Sequence, residues 1–416
     1  NYEENRYEGS LFLVDLASGA QRELTPHRRG VGAAAWDPSG RFIAFADAGA
    51  DGDGRQVFTL PMDGGEARQV TEAKEGVRAF HWSADGHHIY YTTQDTTPKV
   101  EGEERHNRSF EVGYNSFLTR AAPRSAHLWR IPVEGGEAER LTQGPETVSG
   151  FVVSPDGQRV ALEMMPLPHS GEGIRTFIRI LELESGGSTD LPLPKPTSPI
   201  RFSPDGRYLA VSRSRGPEPY FHPSGIFLVP TEGGEELDVT REIDRSLGGM
   251  AFLPDGDGIL VAGTDLTARA LWHQPTEGSP IRLDLGDIHP AAAQVSANGT
   301  VAFIGREDLR ASELYTMKVG EWEPRRLTNF NDALAEKALG AVETVTWDGP
   351  DGFRQNGVLF YPPGYEEGSQ YPLVLSIHGG PMGASTESFS IFNHILAAQG
   401  WLVFSPNYRG SSTQGK

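Results

Sequence analysis

The chain has no cysteine in 416 residues. Disulfides, thiolate metal sites and a cysteine nucleophile are therefore excluded, while the compartment, cytoplasmic or exported, stays open. Basic residues are scarce, with 37 Lys and Arg against 56 Asp and Glu and a formal charge of -19. Phosphate backbones and anionic lipids are held by cationic patches, so neither a nucleic acid nor a membrane is expected as a partner. No apolar run approaches the ~18 residues of a membrane-spanning helix. The opening "NYEENRYEGS" lacks the basic-then-apolar pattern of a signal peptide, and without an initial Met the N-terminus is expected to be trimmed. Metal ligands are not clustered either. "GHHIYY" puts His87 and His88 on opposite faces of a strand, and "ADAGADGDGRQ" (46–56) lacks the spaced final Glu of a calcium loop and reads as a turn. No metal and no cofactor are expected.

What the chain has in quantity is turn residues, Gly 50 and Pro 30, arranged in a recurrence. One half-unit reads "AWDPSGRFIAF", "HWSADGHHIYY", "VVSPDGQRVAL", "RFSPDGRYLAV", "AFLPDGDGILV" and "QVSANGTVAF". Each is an apolar strand end, a Ser-Pro-Asp-Gly-like turn and a second alternating strand, which is a hairpin with its turn chemistry written out. A second half-unit, "SLFLVDLASGAQRELT" and "HLWRIPVEGGEAERLT" among seven such runs, reads as another hairpin. The turn glycines Gly40, Gly86, Gly157, Gly206, Gly256 and Gly299 are 46, 71, 49, 50 and 43 residues apart. Four strands at a period of ~40–50 residues predict propeller blades. Seven second half-units and six first ones predict a seven-bladed, all-β propeller over residues 1–332, its first blade incomplete at the N-terminus. The 71-residue gap marks an insertion at 92–126, rich in Glu103, Glu104, Arg105 and Arg108, of the kind that decorates a blade or carries recognition.

After "RRLTNF" the period stops. "AVETVTWDGPDGFRQNGVLFYPPGY" (341–365) predicts two strands, and "YPLVLSIHGGP" a third, buried on both faces. "SFSIFNHILAAQG" (388–400) predicts a helix with apolar Phe389, Phe392, Ile395 and Leu396, closed by Gly400. "WLVFSPNYRGSS" is the next strand. A helix crossing between strands opens an α/β fold.

Ser-Pro-Asp-Gly hairpins, then a strand ending in His-Gly-Gly-Pro (378–381) and another ending in Asn-Tyr-Arg-Gly-Ser (407–411), resemble the prolyl oligopeptidase family of serine peptidases, in its acylaminoacyl-peptidase and dipeptidyl-peptidase-like branch. The resemblance spans nearly the whole chain. It implies that residues 333–416 begin an α/β-hydrolase catalytic domain. It further implies that the loop after the third strand gives a backbone N–H, that of Gly380, to an oxyanion hole, with Gly379 setting the loop's geometry. Main-chain donors approach an oxyanion closely where no Cβ intervenes. His378, just before the loop, is expected to hold the turn by a hydrogen bond. Paired glutamates bind the free amine of substrates in dipeptidyl-peptidase relatives, which makes Glu103 and Glu104 substrate-binding candidates. Arg105 and Arg108 could take a carboxylate or acyl carbonyl.

The nucleophile of such a fold sits in Gly-x-Ser-x-Gly, followed by Asp and His. "GASTE" (383–387) and "GSSTQ" (410–414) fail at the last glycine, and "DRSLGG" (244–249) begins with Asp. The Ser, Asp and His of the triad are thus absent from this chain, and the hydrolase domain is truncated before the nucleophile elbow. The expected activity is exopeptidase-type hydrolysis of short peptides or acyl-peptides, with the propeller gating access. Its partners are peptide substrates, the remainder of the hydrolase domain and other copies of the chain. Ester hydrolysis on the same fold, and a binding module with a non-functional hydrolase remnant, are the competing readings.

Overall fold

The computed structural model describes residues 8–26, 28, 30–48, 54–97, 101–106, 109–111, 121–191, 197–216, 222–380 and 382–415. Arg108 and much of the 92–126 insertion lie outside these, as does part of the 46–56 turn. The chain forms two compact units, one of residues 1–13, 21–208 and 230–233, the other of 14–20, 209–229 and 234–416.

In the first unit the hairpins join in pairs, as the repeat predicts. Gly32–Trp36, Phe42–Asp47, Gln56–Pro61 and Arg68–Gln69 form one four-stranded antiparallel sheet in sequence order. Ala79–Trp82, His88–Gln94, Ala126–Pro132 and Glu139–Arg140 form the next, and Thr147–Val153, Arg159–Met165, Phe177–Glu182 and Ser188–Leu191 a third. At the fourth repeat, beginning with Thr197–Phe202, the chain passes from one unit to the other. The second unit continues with a sheet of Leu247–Phe252, Gly258–Asp265, Ala268–Pro275 and Ile281–Arg282. A further sheet contains His289–Pro290, Thr300–Arg306, Glu313–Lys318 and Arg325–Arg326.

Two side-chain devices repeat with the sheets. In the hairpin turns a serine hydroxyl bonds the Asp two residues on and receives the amide five residues on. Ser203 Oγ donates to Asp205 at 2.6 Å and accepts from Tyr208 N at 3.0 Å. Ser83 and Ser154 do the same with Asp85 and Asp156, and Gly206 between them in type takes φ +71, which costs only glycine nothing. In the other half-unit the threonine that ends "LT" or "VT" accepts an amide from the neighbouring strand. Val57 N reaches Thr71 at 2.8 Å, and Leu128 N reaches Thr142, Ile226 N Thr240 and Leu314 N Thr328 at 2.8 to 2.9 Å, each 14 residues apart.

Apolar side chains fill the space between successive sheets. In the first unit Ala44 and Val57 pack with Ile89, Tyr91 and Ile131. In the second, Leu260 and Leu271 pack with Val301, Phe303 and Tyr315. Fully burying one such side chain contributes roughly 1.5–3 kcal/mol.

The segment after Arg326 leaves its sheet under fixed geometry. Glu313, 1% exposed, accepts from Phe330 N at 3.1 Å and Asn331 N at 2.7 Å as well as from the Thr328 hydroxyl. A mixed sheet follows, in the order Val342–Asp348, Arg354–Phe360, Leu402–Asn407, Leu373–Leu375. The first three strands pair antiparallel, whereas Leu373–Leu375 runs parallel to Leu402–Asn407. The helix Ile391–Ala397 makes the crossover between the parallel pair, shorter than the 388–400 expected, with Ser390 accepting from Asn393 N at 3.4 Å.

Among the described residues Leu373–Leu375 has one neighbour, and Leu373 and Leu375 are exposed where burial on both faces is expected of the strand. The helix corrects an expectation. The helix turns Asn393, His394 and Ala397 inward and leaves Phe392 and Ile395 outward. Ala397 and Leu396 lie on Val358, Phe360 and Val403, so of the expected apolar positions Leu396 faces the sheet.

Candidate active-site loop

The strand Leu373–Leu375 delivers the chain into residues 376–385, which all lie within the second unit. Ser376 N still bonds Phe404 O at 2.8 Å, extending the parallel pairing by one step. The chain then turns at two glycines that have no room for a side chain. Gly380 has φ +129, and a Cβ there would lie 2.9 Å from Met382 N and from Gly383 N. A Cβ on Gly383 would lie 2.6 Å from Gly379 O and 2.7 Å from His378 Nδ1. Gly379 has open space instead. Both Gly379 and Gly380 are exposed, and among the described residues no partner takes either amide.

The loop is held from the end of the neighbouring strand. Asn407, with no exposed surface, accepts Ser385 N at 2.7 Å, donates to Ser385 O at 2.9 Å and donates to Asn356 at 2.8 Å. Tyr408 stacks its ring on His378 with centroids 4.6 Å apart, and its hydroxyl donates to His378 O at 2.8 Å. His378 Nε2 meets Ser411 Oγ at 3.0 Å. Ser412 N donates to Gly383 O at 3.2 Å.

A Ser–His contact in such a fold invites comparison with a nucleophile and its base. The surroundings argue otherwise. Ser411 is 6% exposed, and its hydroxyl donates to Tyr408 O at 2.7 Å, so its oxygen receives the His378 proton and has no proton left to give up. The pair fastens the loop. Sequence alone pointed to His378, Gly379 and Gly380; it missed Gly383, Asn407, Tyr408 and Ser411 as its supports, although Asn407, Tyr408 and Ser411 stand in the Asn-Tyr-Arg-Gly-Ser run.

The other expected residues lie in the first unit. Glu103 and Arg105 are exposed on the short 3-10 helix Gly102–His106, which also contains Glu104, and Arg105 Nε meets His106 Nε2 at 2.9 Å. Among the described residues no group of three or more His, Asp or Glu side chains is placed to hold a metal ion.

The glycine loop thus stands at the end of a parallel strand with a crossover helix behind it, and the comparisons define the class: the relatives are peptidases. The chain is 29% identical to the uncharacterized peptidase YuxL of Bacillus subtilis, across its whole length and 67% of that protein. It is 25% identical to dipeptidyl-peptidase 5 of Aspergillus fumigatus over 64% of this chain and 40% of that one. The acylaminoacyl peptidase of Pyrococcus horikoshii shares the fold with a TM-score of 0.79 at 18% identity, covering 100% of this chain and 63% of that one. No family model matches. More narrowly, the resemblance to the prolyl oligopeptidase family of serine peptidases is shared by these relatives in sequence and in fold. The chain spans only about two thirds or less of their lengths.

Proposed function

We propose that this chain is part of a serine peptidase that hydrolyses short peptides or acyl-peptides. Residues 1–332 are its seven-bladed propeller, which gates access, and residues 333–416 begin its α/β-hydrolase domain. The Gly380 N–H is one of two donors to the oxyanion hole. A serine supplied by the remainder of the hydrolase domain attacks the carbonyl, a histidine carries the proton and an aspartate orients that histidine. The observation that carries this reading is the loop itself: exposed, unengaged amides at Gly379 and Gly380, on a backbone pinned by Asn407, Tyr408 and Ser411. Donors that are fixed beforehand spend nothing on reorganisation when charge develops on the substrate oxygen.

Support comes also from what surrounds the loop. Leu373 and Leu375 on the edge strand, Ile377 just after it and Ile391, Phe392 and Ile395 on the helix are all more than half exposed. Such a surface is suited to a further parallel strand and its covering helices.

The test uses the full-length gene product and a chromogenic acyl-peptide. Gly380→Ala strains a backbone at φ +129 and displaces the amide, and loss of one oxyanion donor costs about 2.7–4 kcal/mol. The expected result is a kcat lower by about 10²–10³ with KM little changed. A wild-type protein that neither turns over peptides nor reacts with a fluorophosphonate serine label overturns the proposal, and turnover of simple esters alone overturns its peptidase part.

A further inference from the structure

A cavity of about 310 Å³ lies within the second unit between residues 268–270, 282–289 and the side chains of Asp308, Val342 and Glu387. That volume is at the lower end of the ~300–1,000 Å³ of small-molecule sites. His289 is 7% exposed and lines it. Its Nδ1 accepts the Arg269 amide at 3.2 Å, which leaves the proton on Nε2. Burial pushes the His289 pKa down, against the partial counter-effect of Glu387, Asp308 and Asp287, so the ring is neutral near pH 7 and Nε2 is a donor. Among the described residues that donor has no partner.

The charged groups of the wall divide in the same way into satisfied and unsatisfied. Arg282 is paired with Asp265 at 2.9 Å, a carboxylate it shares with Arg245 at 2.8 Å. Arg269 spends Nε on Pro290 O at 3.1 Å, and among the described residues its terminal nitrogens meet no carboxylate. Glu387 is taken up by the Thr344 hydroxyl at 2.7 Å and the Thr267 hydroxyl at 3.5 Å. Asp308 accepts only Leu309 N on one oxygen, at 2.8 Å, and Asp287 is exposed. One small cavity thus offers a guanidinium and an imidazole N–H without an anion, beside three carboxylates without a cation, Asp287, Asp308 and Glu387, the last held by hydroxyls alone. A simple anion would meet the carboxylates and a simple cation the guanidinium; a zwitterion answers both.

We propose that this cavity binds a free α-amino acid with an apolar side chain, its carboxylate on Arg269 and His289, its ammonium on Asp308 and Asp287, and its side chain against Leu283 and Val342. The inference stands on this cavity and not on the peptidase reading. Free amino acids are also what an exopeptidase releases, so the site would let the protein sense product.

Isothermal titration of the full-length protein with L-leucine, leucinol and 4-methylpentanoate tests it, since none of the three has a bond for a peptidase to cut. Leucine is expected to bind, and the two ligands lacking one charge to bind at least about tenfold more weakly. Arg269→Gln and Asp308→Asn should each weaken leucine by about tenfold or more, while Arg269→Lys retains most of the affinity. Thermal melts show whether each variant folds; should Arg269→Gln not fold, Asp308→Asn decides, since it must weaken leucine and leave 4-methylpentanoate unchanged. No binding of leucine at about 10 mM, equal binding of all three ligands, or folded Arg269→Gln and Asp308→Asn variants that bind as the wild type overturns the proposal. Loss of peptide turnover leaves it untouched, and the two proposals fail separately.

Discussion

Asn407 connects three pieces of chain through one side-chain amide. Its two donors and one acceptor are all engaged, with Ser385 O, Asn356 and Ser385 N, and it is fully buried. Asn407→Ala strands the buried Asn356 side chain and leaves the half-buried Ser385 backbone without its protein partner. Each buried group so stranded costs about 1–3 kcal/mol. The expected loss is roughly 3 kcal/mol in urea unfolding, with a larger loss of kcat than of substrate affinity because the Gly380 amide moves. An unchanged unfolding midpoint would show that the clamp carries little of the loop's stability. In the sequence, Asn407 was visible as part of a motif but not as a clamp. Its partners lie 22 and 51 residues away, and nothing next to any of them announces the meeting. His289 is a stronger case: as one of twelve histidines it carried no signal, and only folding puts it beside Arg269 and Asp308.

At the scale of the element, the repeating threonine does what a longer strand would otherwise do. The fourth strand of each sheet is short, two residues at Arg68–Gln69, Glu139–Arg140 and Leu237–Asp238. The hydroxyl just beyond it supplies the acceptor that the missing rung lacks. Thr71→Val removes the bonds to Val57 N and Gln56 while keeping shape. A loss of roughly 1–3 kcal/mol in thermal or urea unfolding is expected, and Thr71→Ser should recover most of it. Equal stability of the valine variant would make the hydroxyl incidental. Hairpins of this kind were legible because their information is local: a turn sequence, an alternation, a fixed spacing. The burial of Leu373–Leu375 and the orientation of the helix Ile391–Ala397 were not, since each depends on how many neighbours the strand or helix has, and no window of sequence states that.

For the whole molecule, the sheet-by-sheet order from residue 32 to residue 326 follows from the repeat, and the change to a mixed sheet follows from the loss of period. The apolar surface formed by Leu373, Leu375, Ile377, Ile391, Phe392 and Ile395 can be probed directly. Residues 1–416 expressed alone should bind the dye 1-anilinonaphthalene-8-sulfonate with a strong rise in fluorescence, and the full-length product should not. Equal dye binding by both would mean that this surface stays uncovered in the longer protein, and would withdraw it as support for a continued hydrolase sheet. The formal charge of -19 bears on the same comparison, because it keeps such a fragment dispersed while its exposed surface is measured.

The loop at His378 has a further consequence in time. Its outermost fastening, His378 to Ser411, spans 33 residues, and every other contact that shapes it from the 407–412 run lies inside a similar reach. At ~5–20 residues per second, a ribosome adds that much chain within a few seconds. The loop therefore gains its fastenings within seconds of the synthesis of its own residues, and on the proposed reading the oxyanion cradle is a mould set early in the making of the protein.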